Sequence, residues 1–161
     1  MIILGLDPGL ATTGYGIIDV EGNKFSLIKY GTIITSPKDT LSQRIKQIYQ
    51  ECTSLLSIHN PSIVAIESLF FSRNTKTALI VAQARGILLL CAENYNKPIY
   101  EYTPPQIKLG ICGYGKATKQ QIQYMTKQLL NLTQIPKPDD AADALGIAIC
   151  HAHSHKIHCL S

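Results

Sequence analysis

Three short stretches place acids where an acid is costly. "MIILGLDPGL" ends an apolar run on Asp7, just before Pro8-Gly9. "SIVAIE" ends another on Glu67, and "PDDAADALGIA" sets Asp140 and Asp143 three residues apart beside an apolar stripe that includes Ile147. A carboxylate leaving water must be paired, hydrogen-bonded or bound to a metal. Each acid also has a plain structural explanation. Asp7 can cap the Pro-Gly turn with its own side chain, and acids in the first turn of a helix are favoured by its dipole. Together they suggest more. Carboxylates that converge without a cation repel one another and raise one another's pKa values. The same cluster is stable around hard divalent cations, which take oxygen ligands. Two such ions roughly 3.5–4 Å apart suit in-line attack on a phosphodiester.

The elements that must position these acids follow from hydrophobic period and turn chemistry. "MIILGL", "YGIIDV" and "FSLIKYGTIIT" are Ile-rich strand candidates separated by "DPGLATTG" and "EGN", which predicts antiparallel hairpins. The period then becomes helical: Leu41, Ile45, Ile48, Cys52, Leu55 and Leu56 share a face. Thr40 with Gln43 forms a capping-box signature at its start, and Asn60-Pro61 ends it. "SIVAIESLF" predicts a buried strand, "TKTALIVAQARGILLLCAENY" a second helix and "PIYEYT" another strand. "TKQQIQYMTKQLLNL" is a third helix opened by Thr118 and Gln121, and "PDDAADALGIAICHAH" is the last. Hairpin strands followed by alternating helices and strands predict an α/β mixed sheet with helices on its faces. Parallel addition of the later strands puts "MIILGL" near the sheet centre. Asp7 and Glu67 then meet outside the carboxyl ends of neighbouring strands, where open α/β sheets bind ligands. Asp140 and Asp143 share one helix face, and Ala141, Ala142 and Ala144 allow close approach of another element.

Bulk composition narrows the class. At 161 residues, with 45% hydrophobic and 16% charged content, the chain fits one folded domain spanning 1–161. No apolar stretch is long enough for a membrane span, and no signal-peptide pattern is present. The five cysteines (52, 91, 112, 150 and 159) contain no CxxC pair, which suits a reducing cytoplasm. A soluble cytoplasmic protein is expected. The net charge of +4 is mildly basic, yet three acids crowd into "PDDAAD". Cations around an acidic point fit a nuclease, binding backbone phosphates while metals bridge the acids to the scissile one. The tail "CHAHSHKIHC" (His151, His153, His155, His158 with Cys150 and Cys159) could be read as zinc ligands. Alternate residues on a helix diverge, however, and no second cluster completes a tetrahedron, so fraying over about 151–161 is expected.

"GLDPGLATTGYG", "IESLFFSRNTKTALIVAQARG", "GYGKATKQQI" and "DDAADALGIAI" together resemble, collinearly and over nearly the whole chain, the RuvC family of Holliday-junction resolvases. The resemblance implies an RNase H-like mixed five-stranded sheet flanked by helices. It also implies a homodimeric endonuclease that nicks two strands of four-way junction DNA symmetrically, in homologous recombination and repair, alongside a branch-migration motor complex. Its cofactor would be Mg2+, two per site, with Mn2+ able to substitute. The family's four acids, catalytic and metal-binding, map to Asp7, Glu67, Asp140 and Asp143. Asp140 fits the family spacing to "ADAL" better than Asp139, whose charge is assigned to the helix cap. The junction-wedging aromatic matches Phe70, with Phe71 as the other choice. Lys108 and Lys119 match basic residues near the cleaved strand. Arg73 and Lys76 are phosphate contacts by charge and location, and Lys116 reads as a solvated lysine.

Three rivals compete with this reading. One is an actin- or sugar-kinase-like phosphate-binding domain, which shares a strand followed by a "GxDxG" turn. It would hydrolyse ATP, and no second phosphate loop occurs here. Another is a DNA-binding module without catalysis, for which acids aimed at DNA would be a poor design. The last is a related RNase H-like nuclease acting on a different nucleic-acid structure, separable by comparing substrates.

Overall fold

The computed structural model describes residues 1–68 and 75–159, with the side chains of 75–77 and 156–159 outside that description. The apolar runs form strands β1 (Ile2–Asp7), β2 (Thr12–Glu21), β3 (Lys24–Ile34), β4 (Ile63–Glu67) and β5 (Ile99–Tyr102). They make one sheet in the order β3-β2-β1-β4-β5. β1, β2 and β3 pair antiparallel, while β4 joins β1, and β5 joins β4, in parallel. Helices α1 (Leu41–His59), α2 (Thr75–Asn94), α3 (Pro104–Cys112), α4 (Lys119–Leu129) and α5 (Asp139–Cys159) complete the chain. This is the RNase H-like architecture that the resemblance implied, with β1 central. Among the described residues no helix is long and apolar enough to cross a membrane.

Local chemistry explains the helix starts. Thr40 accepts from the Gln43 backbone while the Gln43 side chain accepts from the Thr40 backbone, and Thr118 with Gln121 repeats the device. α1 stops at Asn60, which takes the left-handed conformation and donates its N–H to the Leu56 carbonyl at 3.0 Å. α3 is an element that the sequence reading left unassigned. Its prolines look like breakers, but Pro suits the first helical turn because its missing N–H would have no partner there. Thr103 and Gln106 form a third capping box around them. Two other boundaries differ from expectation. α4 ends at Leu129, not at Leu132, and α5 runs on to Cys159.

The tail is therefore a correction. The expected fraying does not hold over 151–155. His151 is buried, with Nδ1 2.7 Å from the Tyr102 hydroxyl, and His153 Nδ1 lies 2.6 Å from the Gly110 carbonyl with its ring against Phe25. The two rings diverge, one toward β5 and one toward α3. Among the described residues no His/Cys cluster that could hold a metal forms.

Period-two alternation splits the core. Leu4, Leu6, Ile17, Val64 and Ile66 face α1 and α2. Ile3, Ile18 and Ala65 face α3, α4 and α5. Asp7 and Glu67 continue the second set, because side chains two apart lie on one face. On that face the sheet is nearly bare. Gly5 pairs with Gly16 across β1 and β2, with Ala65 on the other side of Gly5, and Gly14 pairs with Asp7. α5 fills the space with its own backbone. A Cβ on Gly5 would overlap the Ala144 carbonyl oxygen, and one on Gly14 the Asp140 carbonyl oxygen. One on Gly16 would lie 2.7 Å from the Leu145 nitrogen.

Gly14→Ala should accordingly cost about 1–3 kcal/mol as overpacking, seen as a lower urea midpoint with an unchanged slope. A variant as stable as the parent would show that α5 has room to shift.

Candidate active site

The site is built where β1, β4 and α5 meet. β1 delivers Asp7 and β4 delivers Glu67 at the parallel ends of adjacent strands. The glycine patch lets α5 begin directly above them, so Asp140 and Asp143 come within electrostatic reach of Asp7. The structure thus brings together all four acids singled out in the sequence.

Their electrostatics show the strain of that arrangement. Burial, then the charges of Glu67, Asp143 and Asp140, push the Asp7 carboxyl up from its ordinary 3.8 to about 8. Glu67 is also raised, by burial and by Asp143, while a hydrogen bond to Asp7 acts in the opposite direction. The contact between the two carboxyls raises Asp7 and lowers Glu67. Asp143 is raised by burial, against the pull of a hydrogen bond from Lys119.

Lys119 occupies the first position of α4 and bridges two acids of α5. Its Nζ lies 3.1 Å from Asp143 Oδ2 and 3.2 Å from Asp139 Oδ2. Partial burial lowers the Lys119 pKa, but the hydrogen bonds to Asp143 and Asp139 outweigh it and hold the ammonium above its usual range. Asp139 also accepts from Gln123 Nε2 at 3.1 Å. The role assigned to Asp139 from the sequence, capping α5, thus omits its main contacts, which tie α4 to α5. The i, i+4 spacing of 139 and 143 was the available signal, since it places both on one helix face.

A cleft of about 210 Å³ opens beside the acids, lined by Glu67, Asp143, Lys108, Lys119, Ile107 and Ile122 among others. Lys108, expected near the reacting strand, is in this lining. The apolar wall was not foreseen: Ile107 comes from the unassigned α3, and Ile122 and Ile147 are buried core residues. Phe70, Phe71 and Arg73 lie outside the described residues, as does the Lys76 side chain. Lys116 is exposed in the 113–118 loop.

Among the described residues no three acids already converge on one point as metal ligands would. Asp143 engages Lys119, and Asp7 lies against Glu67. The donor chemistry nevertheless fits a hard divalent cation: the candidate ligands are all carboxylate oxygens, and burial together with the neighbouring negative charges that raise the Asp7 carboxyl is what a cation would offset. Such an oxygen cluster with lysines at its lip, at the strand ends of an RNase H-like sheet, is suited to metal-assisted phosphodiester chemistry.

Comparison with known proteins agrees. A family model described as "Crossover junction endodeoxyribonuclease RuvC" matches residues 3–151. The chain is 58% identical over 154 residues to the protein of that name from Alkaliphilus oremlandii (strain OhILAs), covering 96% of this chain and 94% of the relative. It is 49% identical over 157 residues to that of Clostridioides difficile (strain 630), covering 98% and 93%. Thermus thermophilus RuvC superposes with a TM-score of 0.92 at 34% identity, over 98% of this chain and 97% of that one. T. thermophilus RuvC in complex with Holliday junction substrate gives 0.94 at 33% identity, over 98% and 96%. The chain belongs to the RuvC family of crossover junction endodeoxyribonucleases.

The raised Asp7 pKa has a stability consequence. The folded state favours the protonated acid, so this contribution is present in full below about pH 3.8 and is lost as pH rises through about 8. Asp7→Asn should therefore melt higher than the parent at pH 8 without metal, and magnesium should raise the parent's melting temperature more than the variant's. Equal magnesium shifts would remove Asp7 from the ligand set.

Proposed function

We propose that this protein is a Holliday-junction resolvase that cuts two strands of a four-way DNA junction at symmetric positions by metal-assisted hydrolysis. The observation that carries the proposal is the seating of Asp140 and Asp143 on α5 over Asp7 and Glu67, in a chain of the RuvC family. Asp7, Glu67, Asp140 and Asp143 would hold magnesium ions, which supply an activated water and neutralise charge on the scissile phosphate. The residues of the chain do the rest. Lys119, tethered by Asp139 and Asp143, keeps a cation at the mouth of the cleft, where negative charge builds up on the phosphate. Lys108 adds a second cation to the same wall. Ile107, Ile122 and Ile147 limit water on the apolar side of the cleft and so strengthen these interactions.

Paired cuts call for two sites related by a two-fold axis, and α2 supplies the surface for a second copy. Leu79, Ile80 and Leu90 are exposed on it, and a Cβ at Gly86 would meet nothing within 4 Å. Positions 79, 83, 86 and 90 fall on one helical stripe, and a two-fold contact of α2 with itself covers it. Phe70, three residues after Glu67 and five before the first residue of α2 in sequence, is the proposed wedge at the junction centre.

Two outcomes are expected. With magnesium the protein should cut a synthetic four-way junction in preference to duplex DNA or an RNA–DNA hybrid. Asp7→Asn should lose at least ~100-fold in cleavage while still binding the junction. Equal cutting of all three substrates would favour a related nuclease of different specificity. Leu90→Glu should convert a dimer to a monomer in light scattering, and a dimer that persists would place the interface elsewhere.

A further inference from the structure

The turn that follows Asp7 is held from outside the cluster of acids. β1 ends at Asp7 and β2 begins at Thr12, so residues 8–11 carry the chain directly from the carboxylate into the hairpin. Three successive carbonyls of that turn accept hydrogen bonds. Thr13 Oγ1 donates to the Gly9 carbonyl at 2.7 Å, Thr35 Oγ1 to that of Leu10 at 2.6 Å, and the Thr35 backbone N–H to that of Ala11 at 3.0 Å. Thr13 and Thr35 are buried, and Leu10 anchors the turn in the core under α1 and α2.

The middle bond begins on α1. Arg44 Nε lies 2.7 Å from Thr35 Oγ1. A guanidinium only donates, and a hydroxyl has one hydrogen to give. Arg44 therefore donates to Thr35 Oγ1, and the Thr35 hydrogen goes to the Leu10 carbonyl. A charged donor at one end of such a pair polarises and strengthens both bonds. Gln47, nearly one turn further along α1, donates from Nε2 to the Ile34 carbonyl at 3.0 Å. α1 thus fastens the end of β3 at two points, and through Thr35 it fastens the turn after Asp7.

The hold matters because of what the turn adjoins. Asp7 is buried beside Glu67, within electrostatic reach of Asp140 and Asp143. Like charges push apart, and the backbone that carries Asp7 must resist that push to keep the carboxylate aimed. A misplacement of about 1 Å at a reacting centre can cost about 100-fold in rate.

We propose that Arg44 and Thr35 are positioning residues for the reaction: a hydroxyl relay from α1 fixes the turn after Asp7 and so aims the Asp7 carboxylate at the catalytic cation. The proposal rests on the metal-assisted function given above. The competing role for Arg44, half-buried near the start of α1, is contact with a DNA phosphate.

The test uses the full chain and four variants. Gln carries Nε2 as many bonds from Cα as Arg carries Nε, so Arg44→Gln keeps a donor and drops the charge, while Arg44→Met keeps length and loses the donor. Thr35→Val keeps shape and loses the hydroxyl, which Thr35→Ser retains. The rise in melting temperature on adding magnesium reads cation binding without substrate. It should shrink in Thr35→Val and Arg44→Met and match the parent's in Thr35→Ser and Arg44→Gln. On a synthetic four-way junction, kcat of Thr35→Val and Arg44→Met should fall about tenfold, as for residues that support a metal ligand, with KM unchanged. The double variant should be no worse than Thr35→Val, because the two groups act in series. Should Thr35→Val fail to fold, Arg44→Met against Arg44→Gln decides the matter. Parental magnesium shifts and kcat in Thr35→Val and Arg44→Met would overturn the relay, even if both melt lower. Equal losses in Arg44→Gln and Arg44→Met, with KM raised, would make Arg44 a phosphate contact instead. A parent that cuts no junction would overturn the function itself, and the magnesium shifts would then judge the relay alone.

Discussion

The contact on which this molecule depends is that of α5 with the bare centre of its sheet. Gly5, Gly14 and Gly16 leave no side chains between the two backbones, and Ala141, Ala144 and Ala148 on the helix add little bulk. The helix therefore sits closer than packing of larger side chains allows, since helix axes ordinarily keep side-chain distances. Asp140 and Asp143 come within electrostatic reach of Asp7 because of that approach. Were α5 held off by ordinary residues, they would cap a helix start in solvent, and Asp7 and Glu67 would be an isolated pair at the strand ends.

Closeness has an electrostatic cost, and the structure meets it in two ways. Burial and the charges of Glu67, Asp143 and Asp140 favour the protonated form of Asp7, which lowers the charge in the most buried part of the cluster. Lys119 neutralises the outer part by bridging Asp139 and Asp143. Both arrangements are reversible. A divalent cation can take over from the proton, and a phosphate can compete for the lysine. The cluster is thus organised without being locked.

The two faces of the sheet divide the work. On one, α1 and α2 bury Leu4, Leu6, Ile17 and Ile66 in an aliphatic core, and α2 turns a second apolar stripe outward. On the other, α3, α4 and α5 surround the acids. α4 turns Lys119 and Ile122 to the cleft beside those acids. The capping boxes at Thr103 and Thr118 hold the starts of α3 and α4 and hence the edge of that cleft.

Much of this was determined by the sequence alone. Apolar runs ending in Asp7 and Glu67 defined strand ends, the Thr-x-x-Gln signatures placed α1 and α4, and the collinear motifs identified the family. These are local signals, carried by residue type and short spacing, and local physics suffices to read them. What only the tertiary structure decided involves groups distant in sequence. α3 was hidden because prolines read as breakers until their place in the first turn is known. Asp139 proved to be a partner of Lys119 across two helices. His151 is buried beside Tyr102 and His153 is held half-buried by the Gly110 carbonyl, where a frayed end had been expected. The raised carboxyls of Asp7 and Glu67 also arise only when two strands and a helix meet in low dielectric, because burial and mutual repulsion exist only in the assembled fold.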